Sequence, residues 1–347
     1  MSNSSAFTCC LIGGDTLLTQ CGEILLDQGH DIVHVVTGNP AVGAWARGHG
    51  LNVVDVASDY SVTLRDSDFD YLFAITHLAR IPDGAVESPK TMAINFHDGP
   101  LPAYAGLNTP MWALINGEQS YGITWHVMAT GIDKGDILVQ HPVAIADDDT
   151  ALSLNTKCFA AALESFPTLI GQLVDGSVQP RPQDLSQRSY YGRASRPEGL
   201  GLIDWQQPAE VCERLVRGLS TGPYENSLAS AKIVLGGRGY LVESASVAGD
   251  AAAGAPGEVV GADADAIVVA CADGALAITA LKDLQGRSVP LDTVAAGLSG
   301  SRLEAPRDAV TAAARDLARE EPAWVRRLAA AEAVSVPFRN AAARVAA

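Results

Sequence analysis

Strand and helix periods alternate through the first half of this chain, and that alternation narrows the possible folds most. The apolar runs FTCCLIG (7–13), DIVHVVTG (31–38), NVVDV (52–56), FDYLFAIT (69–76), TMAINF (91–96) and YGITWHVM (121–128) read as strands. Between the first two, TLLTQCGEILLDQ (16–28) places Leu17, Leu18, Cys21, Ile24 and Leu25 at helical spacing, with Gly29 as the stop. Residues 41–49 read as a second helix. The segment 147–174 reads as a long one, opened by acidic residues that suit a positive helix N-terminus. Gly13-Gly14 reads as a strand-to-helix turn. Such alternation predicts an α/β fold with a doubly wound, mostly parallel sheet, whose ligands bind beyond the carboxyl ends of the strands.

The pattern changes near residue 176. Pro180, Pro182, Pro197 and Pro208 punctuate an irregular connection. A helix over 209–219 follows, then short β-like runs at 231–236, 239–244, 257–263, 266–274 and 275–281, which predict a small β-barrel or sandwich. AGDAAAGAPG (248–257) reads as a flexible hairpin tip. In the Ala-rich tail, Glu320-Glu321-Pro322 reads as a helix start and Trp324 as a packing residue. At about 150 residues per domain, 347 residues give two domains. The expected division is 1–180 for the α/β domain, 181–208 for the connection, 209–303 for the β domain and 304–347 for a helical tail.

Composition excludes several function classes. The 24 Lys+Arg against 40 Asp+Glu give a net charge of −16, which argues against a broad surface for nucleic acid or anionic membrane. No apolar run approaches the roughly 18 residues of a membrane-spanning helix. The N-terminal residues lack the basic stretch of a signal peptide, so residues 7–13 are expected as a strand. The cysteines at 9, 10, 21, 158, 212 and 271 are scattered and form no CxxC. That spacing predicts neither a disulfide framework nor a zinc site, and fits a reducing cytoplasm.

Two segments carry candidate chemistry. In AINFHDGPLPAYAGLNTPMWAL (93–114), Asn95 and His97 are two apart, so they share one face of a strand, at its carboxyl end. In ATGIDKGDIL (129–138), Gly131 and Gly135 shape a loop around Asp133. An amide, an imidazole and a carboxylate from neighbouring strand ends can perform acyl transfer without a covalent intermediate: the amide donates to an oxyanion, the imidazole donates a second hydrogen bond to it or shuttles a proton, and the carboxylate raises the imidazole pKa and organises a water or the attacking amine. The same side chains alone would equally cap turns. His126 is expected to have a structural role, and His30, His34 and His49 to be solvated. Arg193 and Arg196 fit either a solvated surface or a grip on an anionic group.

INFHDGPLPAYAG (94–106) followed by GIDKGDIL (131–138) resembles the paired signature of the 10-formyltetrahydrofolate-dependent formyltransferases, with Asn95 and Asp133 separated by 38 positions. The resemblance extends over residues 7–303. It includes SYYGRASRPEGLGLIDW (189–205) as the interdomain connection and 256–281 as part of an OB-like C-terminal barrel. It implies Asn95, His97 and Asp133 as the catalytic set, 10-formyltetrahydrofolate as formyl donor and no metal. It places the pterin against Leu78, Ala79, Arg80 and Ile81 on one side and Ala129, Thr130, Gly131 and Ile132 on the other. The chain departs from the family pattern at Asp98-Gly99-Pro100-Leu101-Pro102, where Ser-Leu-Leu-Pro is common. Ala105 stands where the tRNA-directed members carry Arg.

The expected acceptor is therefore an aminoacyl group on a peptidyl carrier protein, in nonribosomal peptide (antibiotic) biosynthesis, with Arg193 and Arg196 meeting its phosphate. The tail 320–340 resembles the connector into a following synthetase domain. A nucleotide-linked amino sugar or methionyl-tRNA would also serve as an acceptor amine. The same signature would suit a formyltetrahydrofolate hydrolase, in which water replaces the amine, or an inactive folate-binding module.

Overall fold

The computed structural model describes residues 6–249, 254–306 and 308–329. Its first half contains, in order, β1 (Thr8–Ile12), α1 (Thr16–Asp27), β2 (Asp31–Thr37), α2 (Pro40–Gly48), β3 (Asn52–Asp55), α3 (Tyr60–Arg65), β4 (Tyr71–Ala74), α4 (Asp83–Val86), β5 (Met92–His97), β6 (Ala105–Gly106), α5 (Thr109–Asn116), β7 (Ser120–Val127), β8 (Ile137–Ala144) and α6 (Ala151–Asp175). Seven of these strands form one sheet in the order β3-β2-β1-β4-β5-β7-β8. The first five are parallel, while β7 and β8 pair antiparallel to their neighbours. This is the doubly wound, mostly parallel sheet that the alternating pattern predicts.

Strand β8 is not legible in the sequence, because its Pro142 breaks a strand pattern. Pro142 is tolerated because β8 is the sheet edge, where a missing N–H costs no ladder bond. Helix α6 begins at Thr150, whose side chain accepts from the Ser153 N–H while the Ser153 hydroxyl accepts from the Thr150 N–H. Of the preceding acidic residues, Asp149 is buried and paired with Lys157 at 2.6 Å.

Alternation along β5 and β7 decides what faces the core. Phe96 and Trp125 meet at 5.2 Å between ring centroids, and Trp125 packs on Phe166 at 5.0 Å. The buried Trp125 Nε1 donates to Ser165 Oγ at 3.0 Å. Asn95, His97, Thr124 and His126 consequently share the opposite face.

Past α6 the chain forms β9 (Tyr190–Tyr191), α7 (Ala209–Gly218), β10 (Lys232–Leu235), β11 (Arg238–Val247), β12 (Val259–Ala262), β13 (Ile267–Ala270), β14 (Ala275–Lys282), β15 (Ser288–Val289), α8 (Leu291–Ala295) and α9 (Asp308–Ala329). An antiparallel sheet runs β10-β11-β14-β13-β12, with β15 on β14. Among the described residues no pairing joins its two end strands. The two halves are continuous: β6 pairs with β9, α7 packs on α5, and one hydrophobic core runs through both.

Three expectations need correction. His30 is buried, stacked on Phe7 at 3.8 Å and accepting its N–H through Nδ1 at 3.2 Å, because the chain entering β1 covers it. His34 is half-buried against Ser67 and Asn52, and His49 stands at the surface against Glu23. The tail helix starts at Asp308 and runs through Glu320-Glu321-Pro322, its buried Ala314 and Ala318 facing the 198–201 turn. Trp324 is 57% exposed and does not pack in the core. Part of the expected hairpin tip, 250–253, and the tail beyond 329 lie outside the described residues. No described helix is long and apolar enough to cross a membrane.

Candidate active site

Strand β5 delivers Asn95 and His97 at its carboxyl end, and the turn after it folds back to hold them. His97 is 5% exposed, and its Nε2 donates to the carbonyl of Tyr104 at 2.7 Å. A carbonyl only accepts, so Nε2 carries the proton and Nδ1 is the nitrogen left for chemistry. That Nδ1 lies 3.7 Å from Asp133 Oδ2 and 3.9 Å from Asp98 Oδ1. Thr124 on β7 holds the turn: its hydroxyl donates to Gly99 O at 2.7 Å and accepts from Leu101 N at 3.1 Å. Gly99 is required here, since a Cβ would sit 2.7 Å from both His97 Nε2 and Tyr104 O.

Asp133 arrives on the loop between β7 and β8 with a left-handed φ of 51°. Its Oδ2 accepts the Gly106 N–H at 2.8 Å. Gly135 lets this loop close, because a Cβ there would meet Val127 O at 1.7 Å. Burial alone would raise the Asp133 carboxyl. The neighbouring His126 and His97 rings and the Gly106 N–H more than offset it, holding the group down at about 2. Asp133 is therefore an anion at neutral pH.

Asn95, His97 and Asp133, chosen from two separate segments, thus stand together. His126 stands with them, on the face of the sheet that carries the site. Its Nε2 is 3.1 Å from Asn95 Nδ2 and 3.6 Å from Asp133 Oδ1. The cross-strand register, Asn95 opposite His126, produces this and leaves no mark on a linear sequence.

The connection after α6 supplies further groups that sequence reasoning missed. Gln183 Nε2 donates to the carbonyls of Asp133 (3.0 Å) and Gly135 (2.6 Å). Arg188 donates to Ile132 O at 3.0 Å and lies over the Tyr190 ring at 5.1 Å. Arg193 Nη2 reaches Leu78 O at 3.4 Å, at the rim of the 76–82 loop. Arg196 pairs with Glu321 at 2.6 Å, its side chain only 10% exposed.

In the 76–82 loop, Leu78, Ala79 and Arg80 are exposed and Arg80 pairs with Asp83, while Ile81 is buried in the smaller core. Ala129, Thr130, Gly131 and Ile132 are exposed across the site. Among the described residues no group of three or more His, Cys, Asp or Glu is placed to hold a metal ion.

Comparison with known proteins agrees with this architecture. The Formyl transferase family model matches residues 55–170, and the Formyl transferase, C-terminal domain model matches 198–299. Methionyl-tRNA formyltransferase from Geobacter metallireducens is 30% identical over 279 residues, covering 76% of this chain and 86% of that protein. The N-formyltransferase from Helicobacter canadensis, solved with folinic acid and dTDP-3-aminofucose, shares the fold at a TM-score of 0.62 and 18% identity. That match covers 78% of this chain and 98% of the other. HypX from Aquifex aeolicus, solved with tetrahydrofolic acid, matches at a TM-score of 0.58 and 20% identity, covering 85% of this chain and 48% of that one. With both family models in place and a relative of that identity and coverage, the chain belongs to the formyltransferase family.

Proposed function

We propose that the chain transfers the formyl group of 10-formyltetrahydrofolate to a primary amine, with Asn95, His97 and Asp133 as the catalytic residues. The observation that carries this is the meeting of a buried imidazole with one free nitrogen, an ionised carboxylate and an amide at one strand end. The donor would lie between the loop bearing Leu78, Ala79, Arg80 and Ile81 and the loop bearing Ala129, Thr130, Gly131 and Ile132. The Helicobacter canadensis and Aquifex aeolicus proteins were both solved with folates, which supports that donor.

The amine lone pair adds to the formyl carbon, and the carbonyl pair moves onto oxygen. The Asn95 amide donates to that oxyanion. His97 Nδ1 takes a proton from the attacking nitrogen, and Asp133 stabilises the imidazolium. The same proton passes to N10 of the folate as its bond to the formyl carbon breaks, leaving the formamide and tetrahydrofolate. Asn95→Ala, His97→Ala and Asp133→Ala are each expected to lower kcat by roughly 10²–10³ with the far-ultraviolet circular dichroism unchanged. Any of the three within about threefold of wild type would overturn its assignment.

The proposed acceptor is an aminoacyl group on the phosphopantetheine arm of a carrier protein, in nonribosomal peptide assembly, and not a tRNA. The charge of −16 supports this, since binding nucleic acid draws on Lys and Arg. Ala105, where the tRNA-directed pattern has Arg, is fully buried in the β6–β9 ladder. With Arg196 committed to Glu321, Arg193 at the loop rim is the cation left for a phosphate. A nucleotide-linked amino sugar is the second reading, favoured by the fold shared with the Helicobacter canadensis enzyme. Side-by-side formylation of an aminoacyl carrier protein, a nucleotide-linked amino sugar and methionyl-tRNA tests this. Turnover of either of the last two about tenfold faster would overturn the carrier assignment. Six free, buried cysteines support a reducing, cytoplasmic setting.

A further inference from the structure

We propose that His126 is a positioning residue for formyl transfer: its Nε2 fixes the Asn95 amide so that an N–H, and not the oxygen, is presented to the reacting carbonyl. This rests on the reading of Asn95 as an oxyanion donor. The terminal torsion of asparagine is soft, and the two ends of its amide are opposite in hydrogen-bonding character. An unrestrained Asn95 would present its oxygen, which repels an oxyanion, as readily as its nitrogen.

His126 removes that choice. It lies directly opposite Asn95 in the β5–β7 pairing and is 3% exposed. Its Nδ1 donates to the Val127 carbonyl at 2.9 Å, so the proton of the neutral ring sits on Nδ1 and the lone pair on Nε2. A lone pair selects a donor. Asn95 Nδ2 fills that role at 3.1 Å, and Oδ1 is turned away. Asp133 Oδ1 stands farther from the same Nε2, at 3.6 Å against 3.1 Å for the amide nitrogen, and as an anion it offers no hydrogen to the lone pair of the neutral ring. One Nδ2 hydrogen is spent on His126, and the second remains for the oxyanion. The sheet register thereby sets the polarity of the site.

The test is a set of variants read by kcat and folate KM separately. His126→Leu fills the space without an acceptor, whereas His126→Gln restores an acceptor oxygen at the reach of Nε2. His126→Leu is expected to lower kcat roughly 10- to 100-fold with KM within about twofold, and His126→Gln to stay within about fivefold of wild type. In an Asn95→Ala background, His126→Leu is expected to change kcat by less than about threefold, because no amide remains to be held. If His126→Leu does not fold, His126→Asn, too short to reach Asn95, takes its place with the same thresholds. The proposal is overturned by a leucine variant within about threefold of wild type, by multiplying losses in the double variant, or by a glutamine variant as impaired as leucine. An Asn95→Ala enzyme at wild-type rate would instead overturn the oxyanion assignment itself.

Discussion

A backbone carbonyl decides which nitrogen of His97 reacts. Tyr104 O takes the Nε2 proton, and Gly99 leaves the space in which they meet. Gly99→Ala puts a methyl 2.7 Å from both atoms, so one must move. The variant is expected to fold and to lose about tenfold or more in kcat; an unchanged kcat would show that this contact does not set the tautomer. Asp133 carries a second consequence. Its carboxyl drops from 3.8 to about 2 on folding, which stabilises the native state by on the order of 2 kcal/mol. Because the folded value is the lower one, the stabilisation is complete above about pH 4 and is lost as pH falls toward about 2. Urea unfolding of wild type and Asp133→Asn should show a stability difference that shrinks from about pH 5 to pH 2. A constant difference would contradict the assigned pairing.

Among the elements, the loop between β7 and β8 depends on a partner far along the chain. Gln183 ties two of its carbonyls, those of Asp133 and Gly135, and Arg188 ties Ile132. Gln183→Leu leaves those carbonyls without their amide donor and is expected to destabilise the protein by about 1–3 kcal/mol. Because the same loop is proposed to close over the folate, folate KM should rise severalfold as well. Thermal unfolding and steady-state kinetics check both halves, and an unchanged KM would separate Gln183 from the folate site. Strand β8, which ends this loop, shows how elements escape sequence reading. Pro142 and the polar Gln140 and His141 conceal a strand that only its edge position permits.

Across the whole molecule, the β half completes the core of the α/β half. Trp205 and Ile203 are fully buried, and α7 packs on α5. A protein ending at residue 205 loses α7 and the entire second sheet. It is therefore expected to unfold without a cooperative transition, because the shared core is cut. A two-state melt near the wild-type Tm would show instead that the first half folds alone. The Arg196–Glu321 bridge, by contrast, has its Glu321 side chain 58% exposed, and its loss belongs among surface pairs of small effect.

Period and spacing alone determined the parallel sheet and the carboxyl-end placement of Asn95 and His97, while the pairing of their segment with the one carrying Asp133 came from the resemblance to the formyltransferase signature. The first two follow from local backbone geometry, because side-chain faces repeat every two residues in a strand and every 3.6 in a helix. Tertiary structure alone decided the rest. Register across β5 and β7 set His126 against Asn95, and the connection's return brought Gln183 and Arg188 to the loop. Helix α9 captured Arg196, which the sequence left equally suited to a phosphate, and exposed Trp324, which it had assigned to packing. Each of these partners is chosen by packing between segments distant in the chain, and no local period encodes that choice.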